Sequence, residues 1–186
     1  MNKLILFTVI LFCFSIATAQ AQEMQGYRNN AADDRIPLTE AEREVSVEAL
    51  QATLYELVSQ RHAVQQAHWN VQGPLFYSLH DLLGHFYEAL NIEIDKIAER
   101  KLMLGAPADG SAASVEESAN LGEIPSGYID DQQVLELLTD RYKNISDRLR
   151  NRIEATGRND LVTQDALIGL AGLIEAHLWK LRAFQR

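Results

Sequence analysis

The chain has 186 residues and a formal net charge of −9, with 26 acidic against 17 basic side chains. This length suits one domain with a substantial core. The acidic balance argues against direct nucleic-acid binding, which depends on neutralising phosphates, and a single cysteine excludes an intramolecular disulfide.

A signal peptide is predicted over residues 1–21. Lys3 precedes an apolar run from Leu4 to about Ala17, and small residues follow, which is the order of regions in a secretory signal. Cleavage is expected after Ala19 or Ala21. A retained membrane anchor is the alternative, but the run is shorter than the ~20 residues that span a bilayer.

Cleavage would remove Cys13 and therefore all thiol chemistry. It would also change the net charge from −9 to −10, because Lys3 is the one charged residue lost. The mature protein is thus expected in the periplasm or the medium, with no membrane segment. Residues 22–38 are predicted to be a polar tail, either disordered or loosely docked. Its only basic residues are Arg28 and Arg35, so it is not a cationic arm.

The domain predicted over residues 39–186 is all-α, because its apolar residues recur at helical spacing and no alternating β pattern occurs. Thr39 and Glu42 form a capping box that starts the first helix, and the apolar stripe of this helix continues to His68. A Gly-Pro pair then interrupts the helical pattern. The second helix is predicted from Pro74 to about Leu104.

Two further helices follow a long connection. The third is predicted from Asp131 to about Thr156, with Gly157 as its C′ residue, and Thr163 can cap the fourth. The link over residues 105–130 is long enough to cross the whole bundle. Because Ser114-x-x-Glu117 indicates a short helix inside it, we expect a ferritin-like four-helix bundle with one long crossover, and not a simple up-down bundle with a disordered link.

Four potential metal ligands lie around the Gly-Pro break: His68 before it, His80 after it, and Asp95 and Glu99 one turn apart further along the second helix. Imidazole and carboxylate together suit iron or another first-row transition metal. Ferritin-like di-iron sites usually contain Glu-x-x-His pairs. The residues three before the five histidines are Ser59, Gln65, Tyr77, Leu82 and Ile174. An ordinary intramolecular di-iron centre is therefore excluded, and the ligands must be arranged another way.

Simpler interpretations exist for each of these residues. The histidines, taken alone, could be core or interface residues. Asp95 and Glu99 could flank Lys96 and Arg100 on a solvated helix face. Trp69, beside the first histidine, is either a sacrificial electron donor or an interface aromatic.

The surrounding motifs resemble the Dps family, the mini-ferritins named as DNA-binding proteins from starved cells. They are His68-Trp69-Asn70-Val71, Gly73, Phe76, Leu79-His80, Asp95, Ala98-Glu99-Arg100, Leu104-Gly105 and His177-Leu178-Trp179 with Leu181-Arg182-Ala183. The match covers nearly all of residues 39–186. It implies a homododecameric shell that oxidises Fe(II), with hydrogen peroxide as the oxidant, and stores the iron.

The same resemblance implies an iron site at a two-fold interface. One protomer supplies the histidines that match His68 and His80, and the other supplies the carboxylates that match Asp95 and Glu99. It also implies an aspartate four residues after the second histidine, where this chain has Gly84. We therefore expect a weaker second iron position and retention of the first.

Neighbouring residues do not replace that missing aspartate. Asp81 and His85 point elsewhere, since successive helical residues are turned by roughly 100°. His177 lies on an apolar stripe and is expected to be structural, and His62 is expected at the surface.

Asp160 and Asp165, between the third and fourth helices, have two interpretations. They line an acidic iron-entry pore, as the resemblance implies, or they are helix-start carboxylates favoured by the helix dipole.

Three functions follow from these features. The first is an exported ferroxidase and iron-storage shell. The second is DNA protection, against which the acidic chain, the lysine-free tail and the signal peptide argue. The third is a structural shell whose iron chemistry is weakened by Gly84.

Overall fold

The computed structural model describes residues 36–185, so the predicted signal peptide and residues 22–35 of the predicted tail lie outside the described residues. The described elements, in chain order, are α1 (Glu40–Asn70), β1 (Val71–Gln72), α2 (Phe76–Met103), α3 (Ala112–Ser118), β2 (Ile129–Asp130), α4 (Asp131–Thr156) and α5 (Leu161–Ala183). The all-α prediction is confirmed, with the addition of two short strands that the sequence pattern did not indicate.

Helix α1 begins at the predicted capping box. The hydroxyl of Thr39 accepts the backbone N–H of Glu42 at 3.3 Å, and the carboxylate of Glu42 accepts the N–H of Thr39 at 2.8 Å. Two backbone donors of the first turn are therefore satisfied locally.

Helix α2 starts two residues later than predicted. Pro74 lies in the turn and not in the first helical turn, because the carbonyl of Gly73 accepts the N–H of Phe76 at 3.1 Å. Leu75 is the N-cap and has no side chain that can cap the helix. Its N–H is bound instead by the carboxylate of Asp131 on α4, at 2.8 Å. This tertiary contact has no local sequence signal.

Three predicted helix-end residues are also corrected. Gly157 is the C-cap of α4 in ordinary right-handed geometry, with φ −67°, and not a left-handed C′ residue. The N-cap of α5 is Asp160 and not Thr163, since its carboxylate accepts the Thr163 N–H at 3.0 Å. The short helix in the link exists, but its N-cap is Ser111 and not Ser114.

The two strands establish the path of the link. Val71 pairs with Ile129 and Gln72 with Asp130, in parallel. In a parallel pair, the chain must return to the end of the bundle where the first strand begins before the second strand can start. The link therefore crosses the length of the bundle and places the start of α4 beside the end of α1. This confirms the long crossover over the simple up-down alternative.

The core lies between the four long helices. Its largest fully buried side chains are Tyr142, Phe86, Leu50, Leu57, Leu79, Leu83, Leu90, Ile97, Leu104, Ile129, Leu135 and Leu138. Each such aliphatic or aromatic side chain contributes roughly 1.5–3 kcal/mol by leaving water. Among the described residues, α5 alone is long and apolar enough to cross a membrane, and it packs against α2 and α4.

Candidate metal centre

The two histidines hold each other through reciprocal hydrogen bonds. His68 Nδ1 lies 2.8 Å from the carbonyl oxygen of His80, and His80 Nδ1 lies 2.9 Å from the carbonyl oxygen of His68. The two rings stack, with centroids 3.9 Å apart and an interplanar angle of 23°. The last turn of α1 and the second turn of α2 are thereby joined at these residues.

These bonds fix the tautomer of each ring. A carbonyl oxygen only accepts hydrogen bonds, so Nδ1 of both histidines must carry the proton. In the neutral ring the lone pair then resides on Nε2, which is the form that ligates metals. A backbone carbonyl on the other nitrogen is also a common outer partner of metal-binding histidines. The pair therefore presents two orientated nitrogen donors.

Aromatic side chains surround the pair. Tyr87 meets the His68 ring edge-on at 5.3 Å, and Phe76 lies 5.2 Å from the His80 ring. Gly84 faces the same place: a Cβ built there would lie 3.6 Å from Cε1 of His68, which is ordinary van der Waals contact. The position of the expected fifth ligand thus has room for a side chain, but glycine supplies none.

Asp95 and Glu99 do not join the histidines within one protomer. Fifteen residues separate His80 from Asp95 along α2, a rise of about 22 Å. Within residues 36–185, no three His, Cys, Asp or Glu side chains are grouped so as to hold a metal ion. A single chain therefore divides the four candidate ligands between two places.

Both carboxylates are exposed and their neighbouring cations are engaged elsewhere. Lys96 pairs with Glu93 at 2.7 Å, and Arg100 pairs with Asp160 at 2.9 Å. Within the described part of the chain, Asp95 and Glu99 have no ion-pair partner of their own. Two like charges one turn apart repel each other, so a bound cation would relieve this repulsion.

Of the two candidate pore residues, Asp160 has the helix-start role. It is buried, it caps α5, and its carboxylate accepts two bonds from Arg100 at 2.9 and 3.0 Å. Burial acts to raise its pKa, but the hydrogen bonds from Thr163 and Arg100 outweigh burial and leave the pKa lowered. Asp165 is exposed one turn further along α5.

His177 and His62 are placed as predicted. His177 is buried in the core, stacks on Phe86 at 3.7 Å with an angle of 6°, and shares a hydrogen bond with the Tyr142 hydroxyl at 3.0 Å. Burial, followed by the nearby charge of Lys180, lowers its pKa to about 4. His62 is exposed on α1.

The bundle interior contains charged side chains that are ion-paired or hydrogen-bonded. Glu56 is buried and bound by Arg148 at 2.9 Å and by Arg152 at 2.6 Å. Arg141 donates to Gln60 and Ser59 on α1. These contacts join α1 to α4, and they leave the carboxylate of Glu56 bound by two arginines.

Comparison with known proteins supports the same architecture. A model of the ferritin-like domain matches residues 47–186. The chain is 30% identical over 135 residues to the DNA protection during starvation protein of Agrobacterium fabrum, covering 72% of this chain and 83% of that one. The chain belongs to the Dps family of ferritin-like proteins. This membership connects it in general terms with iron binding, iron storage and DNA protection.

Other relatives differ in length and in name. DNA protection during starvation protein 2 of Deinococcus radiodurans is 40% identical over 139 residues, and this chain spans 58% of that protein's length. The fine tangled pili major subunit of Haemophilus ducreyi is 31% identical over 167 residues, which are 89% of this chain and 88% of that subunit.

Solved structures share the fold. The crystal structure of Dps92 from Deinococcus radiodurans superposes with a TM-score of 0.76 at 39% identity, covering 77% of this chain and 87% of that one. The Vibrio cholerae Dps structure, described as a ferritin-like diiron-carboxylate protein, gives a TM-score of 0.75 at 25% identity, with 80% and 94% covered.

Proposed function

We propose that this Dps-family protein is a ferroxidase that oxidises Fe(II) and stores the product, with each site formed by two protomers. The main support for the proposal is that the four candidate ligands of one chain lie in two separate places. His68 and His80 present free Nε2 atoms at one end of α2, and Asp95 and Glu99 lie about 22 and about 28 Å beyond His80 along the same helix. Only a second protomer can complete the site.

A two-fold axis would bring the histidine pair of one protomer next to the carboxylate pair of the other. If α2 packs antiparallel against its own copy, residues equidistant from the axis meet. His80 of one protomer lies opposite Asp95 of the other when the axis passes midway, beside Tyr87 and Glu88. On a helical wheel His80 and Asp95 are about 60° apart, so one exposed face carries both. Two sites then form at each interface.

Exposed apolar side chains support burial of this surface in an assembly. Trp69 is 59% exposed, Tyr77 80% and Ile92 58%, all near the histidine pair or on α2. Contact with a second protomer would remove these large apolar side chains from water, which is favourable. We therefore propose a homo-oligomer, with the dodecamer as the expected closed form. Trp69 remains a candidate electron donor, and Asp165 a candidate pore residue.

Iron is the substrate of the proposed reaction. Two ferrous ions each give one electron to one hydrogen peroxide, whose O–O bond breaks, and two waters complete the ferric oxyhydroxide product with release of four protons. Neutral imidazoles hold Fe(II) without excess charge, whereas the hard carboxylate oxygens favour Fe(III). The ligand set thus favours oxidation. Gly84 provides no fifth ligand, so the second iron position is expected to be weaker than the first.

Subunit complementation tests this proposal. One variant carries His68→Ala and His80→Ala, and the other carries Asp95→Ala and Glu99→Ala. Each alone should lose peroxide-dependent iron oxidation. Co-expressed at equal amounts, they should regain roughly a quarter of the wild-type sites, because half of the interfaces are mixed and half of the sites in these are intact. His62→Ala, exposed on α1, is the matched control and should retain full activity.

The result against the proposal is clear. If either double variant alone oxidises iron as fast as the His62→Ala control, these residues are not the ferroxidase ligands. If both are inactive and the mixture stays inactive while assembling normally, the ligands are not shared between protomers.

A structural shell is the second candidate, favoured by the relative named as a pilus subunit. It predicts normal assembly with wild-type iron oxidation no faster than that of the histidine variant. DNA protection, favoured by the names of other relatives, predicts a salt-sensitive gel shift at neutral pH.

Export is proposed from residues 1–21 alone. Periplasmic or secreted material beginning at Gln20 or Gln22 would support it, and an intact N-terminus in the cytoplasmic fraction would refute it.

A further inference from the structure

A buried carboxylate outside the ligand set holds the turn between the two histidines. Asp131, in the first turn of α4, is 2% exposed. Its Oδ2 accepts the backbone N–H of Leu75 at 2.8 Å. Gly73, with φ +124°, lies so close that an added Cβ would be 2.5 Å from the same oxygen. The carboxylate therefore fills the place that a side chain at residue 73 would need.

Asp131 acts as a cap for a helix to which it does not belong. Leu75, the N-cap of α2, has no side-chain hydrogen bond to the helix start. The unpaired donors there need an acceptor, and a carboxylate at a helix N-terminus is also favoured by the helix dipole. The adjacent parallel pairing of β1 with β2 holds α4 in place. The start of α2 is thus fixed from α4.

The histidine geometry depends on this fixed start. His80 is five residues after Leu75, on the next turn of α2. The bonds between His68 and His80 require the two backbones to keep one register, because each ring donates to the carbonyl of the other residue. Rotation or translation of the first turn of α2 would change the 3.9 Å spacing of the rings.

We propose that Asp131 is a positioning residue for the metal-binding histidine pair, acting through the turn at residues 73–75. This inference rests on the proposed function, since it assumes that His68 and His80 bind metal. Asp131 itself touches no metal. Its effect is on where the two Nε2 atoms lie relative to each other, which determines the affinity and the coordination geometry of the bound ion.

The neighbouring residue provides a matched control. Asp130 is exposed and caps α4, because its carboxylate accepts the N–H of Gln132 at 3.0 Å. Asp130→Ala therefore weakens the same helix start without touching the turn. A general loss of stability in α4 should appear in both variants, whereas a change in the histidine pair should appear only when residue 131 is altered.

The test measures Co(II) binding to the assembled full-length protein, by titration and by the visible absorption of the bound ion. Asp131→Ala should weaken Co(II) binding about tenfold or more and shift the absorption bands. Asp131→Asn keeps an oxygen acceptor for Leu75 and should stay within about threefold of the wild type. Asp130→Ala should lower the unfolding midpoint but leave affinity and spectrum unchanged. Asp131→Ser, which is too short to reach Leu75, replaces the alanine variant if that variant does not assemble.

Three contradicting outcomes are distinguishable. Wild-type affinity and spectrum in Asp131→Ala or Asp131→Ser would overturn the positioning role. If the variant that carries His68→Ala and His80→Ala has the same Co(II) spectrum as the wild type, the proposed function is contradicted instead. Equal weakening in the Asp130 and Asp131 variants would reduce the effect to helix stability and would also overturn the inference.

Discussion

Acid should destabilise the fold through one core histidine. His177 is buried against Phe86 and bound to the Tyr142 hydroxyl. Burial, with a smaller effect from Lys180, lowers its pKa from 6.5 to about 4. The unfolded chain therefore takes up a proton near pH 6.5, and the folded chain resists protonation until about pH 4. Stability is fully present above pH 6.5 and decreases as the pH falls.

The size of the effect follows from these two pKa values. At pH 5 the unfolded histidine is mostly protonated and the folded one is mostly neutral. Linkage then lowers the free energy of unfolding by about 2 kcal/mol between pH 7 and pH 5. Phe86 and Tyr142 are both almost fully buried, so the ring cannot reach water without disturbing the core.

The assay compares urea unfolding at pH 7 and pH 5, followed by circular dichroism. The variant carries His177→Phe with Tyr142→Phe, which keeps an aromatic ring against Phe86 and leaves no tyrosine hydroxyl unpaired. Its loss of stability between the two pH values should be smaller than that of the wild type by about 2 kcal/mol. His62→Gln, at an exposed position, should behave as the wild type.

One result would refute this reasoning. If the wild type and the double variant lose the same free energy of unfolding between pH 7 and pH 5, within about 0.5 kcal/mol, His177 does not resist protonation in the folded protein. The acid sensitivity would then come from other groups.

Two further substitutions have opposite expected effects on the free energy of unfolding, measured by urea denaturation. Gly84→Ala should stabilise by up to about 1 kcal/mol, as helix propensity favours alanine and the new methyl group has room. The control Gly169→Ala, on α5 with open space around it, should gain a similar amount. A loss of stability in Gly84→Ala alone would show that the surroundings of residue 84 are crowded. Asp160→Ala should destabilise by about 3 kcal/mol, because it leaves Arg100 without its buried partner. The exposed Asp165→Ala should change stability by no more than about 0.5 kcal/mol, and equal effects at the two aspartates would contradict the assigned role of Asp160.

Much of the fold could be predicted because its signals are local. The capping box at Thr39 and the span of α4 depend on residues within one helix, so periodicity and capping rules suffice. The start of α2 could not be predicted in this way. Its N-terminal donor is bound by Asp131, 56 positions away, and a helix that is capped from another helix has no local signature.

The same distinction between local signals and distant contacts applies to the candidate site. The residue types and their spacing indicated His68, His80, Asp95 and Glu99 as ligands, and this assignment stays a prediction. The fixed tautomers could not be inferred from sequence, since they arise from contacts between two helices. The choice at Asp160 also depended on a distant residue, Arg100.

The reciprocal bonds of the histidine pair affect how fast a site can be used again. Immobilising a flexible side chain during binding costs roughly 0.5–1.5 kcal/mol, but His68 and His80 have already lost this freedom on folding, because each ring is tied to the other backbone. An ion that leaves Nε2 therefore leaves both rings in place for the next one. Under the proposed function, successive ions would be received without any side-chain rearrangement on this half of the site.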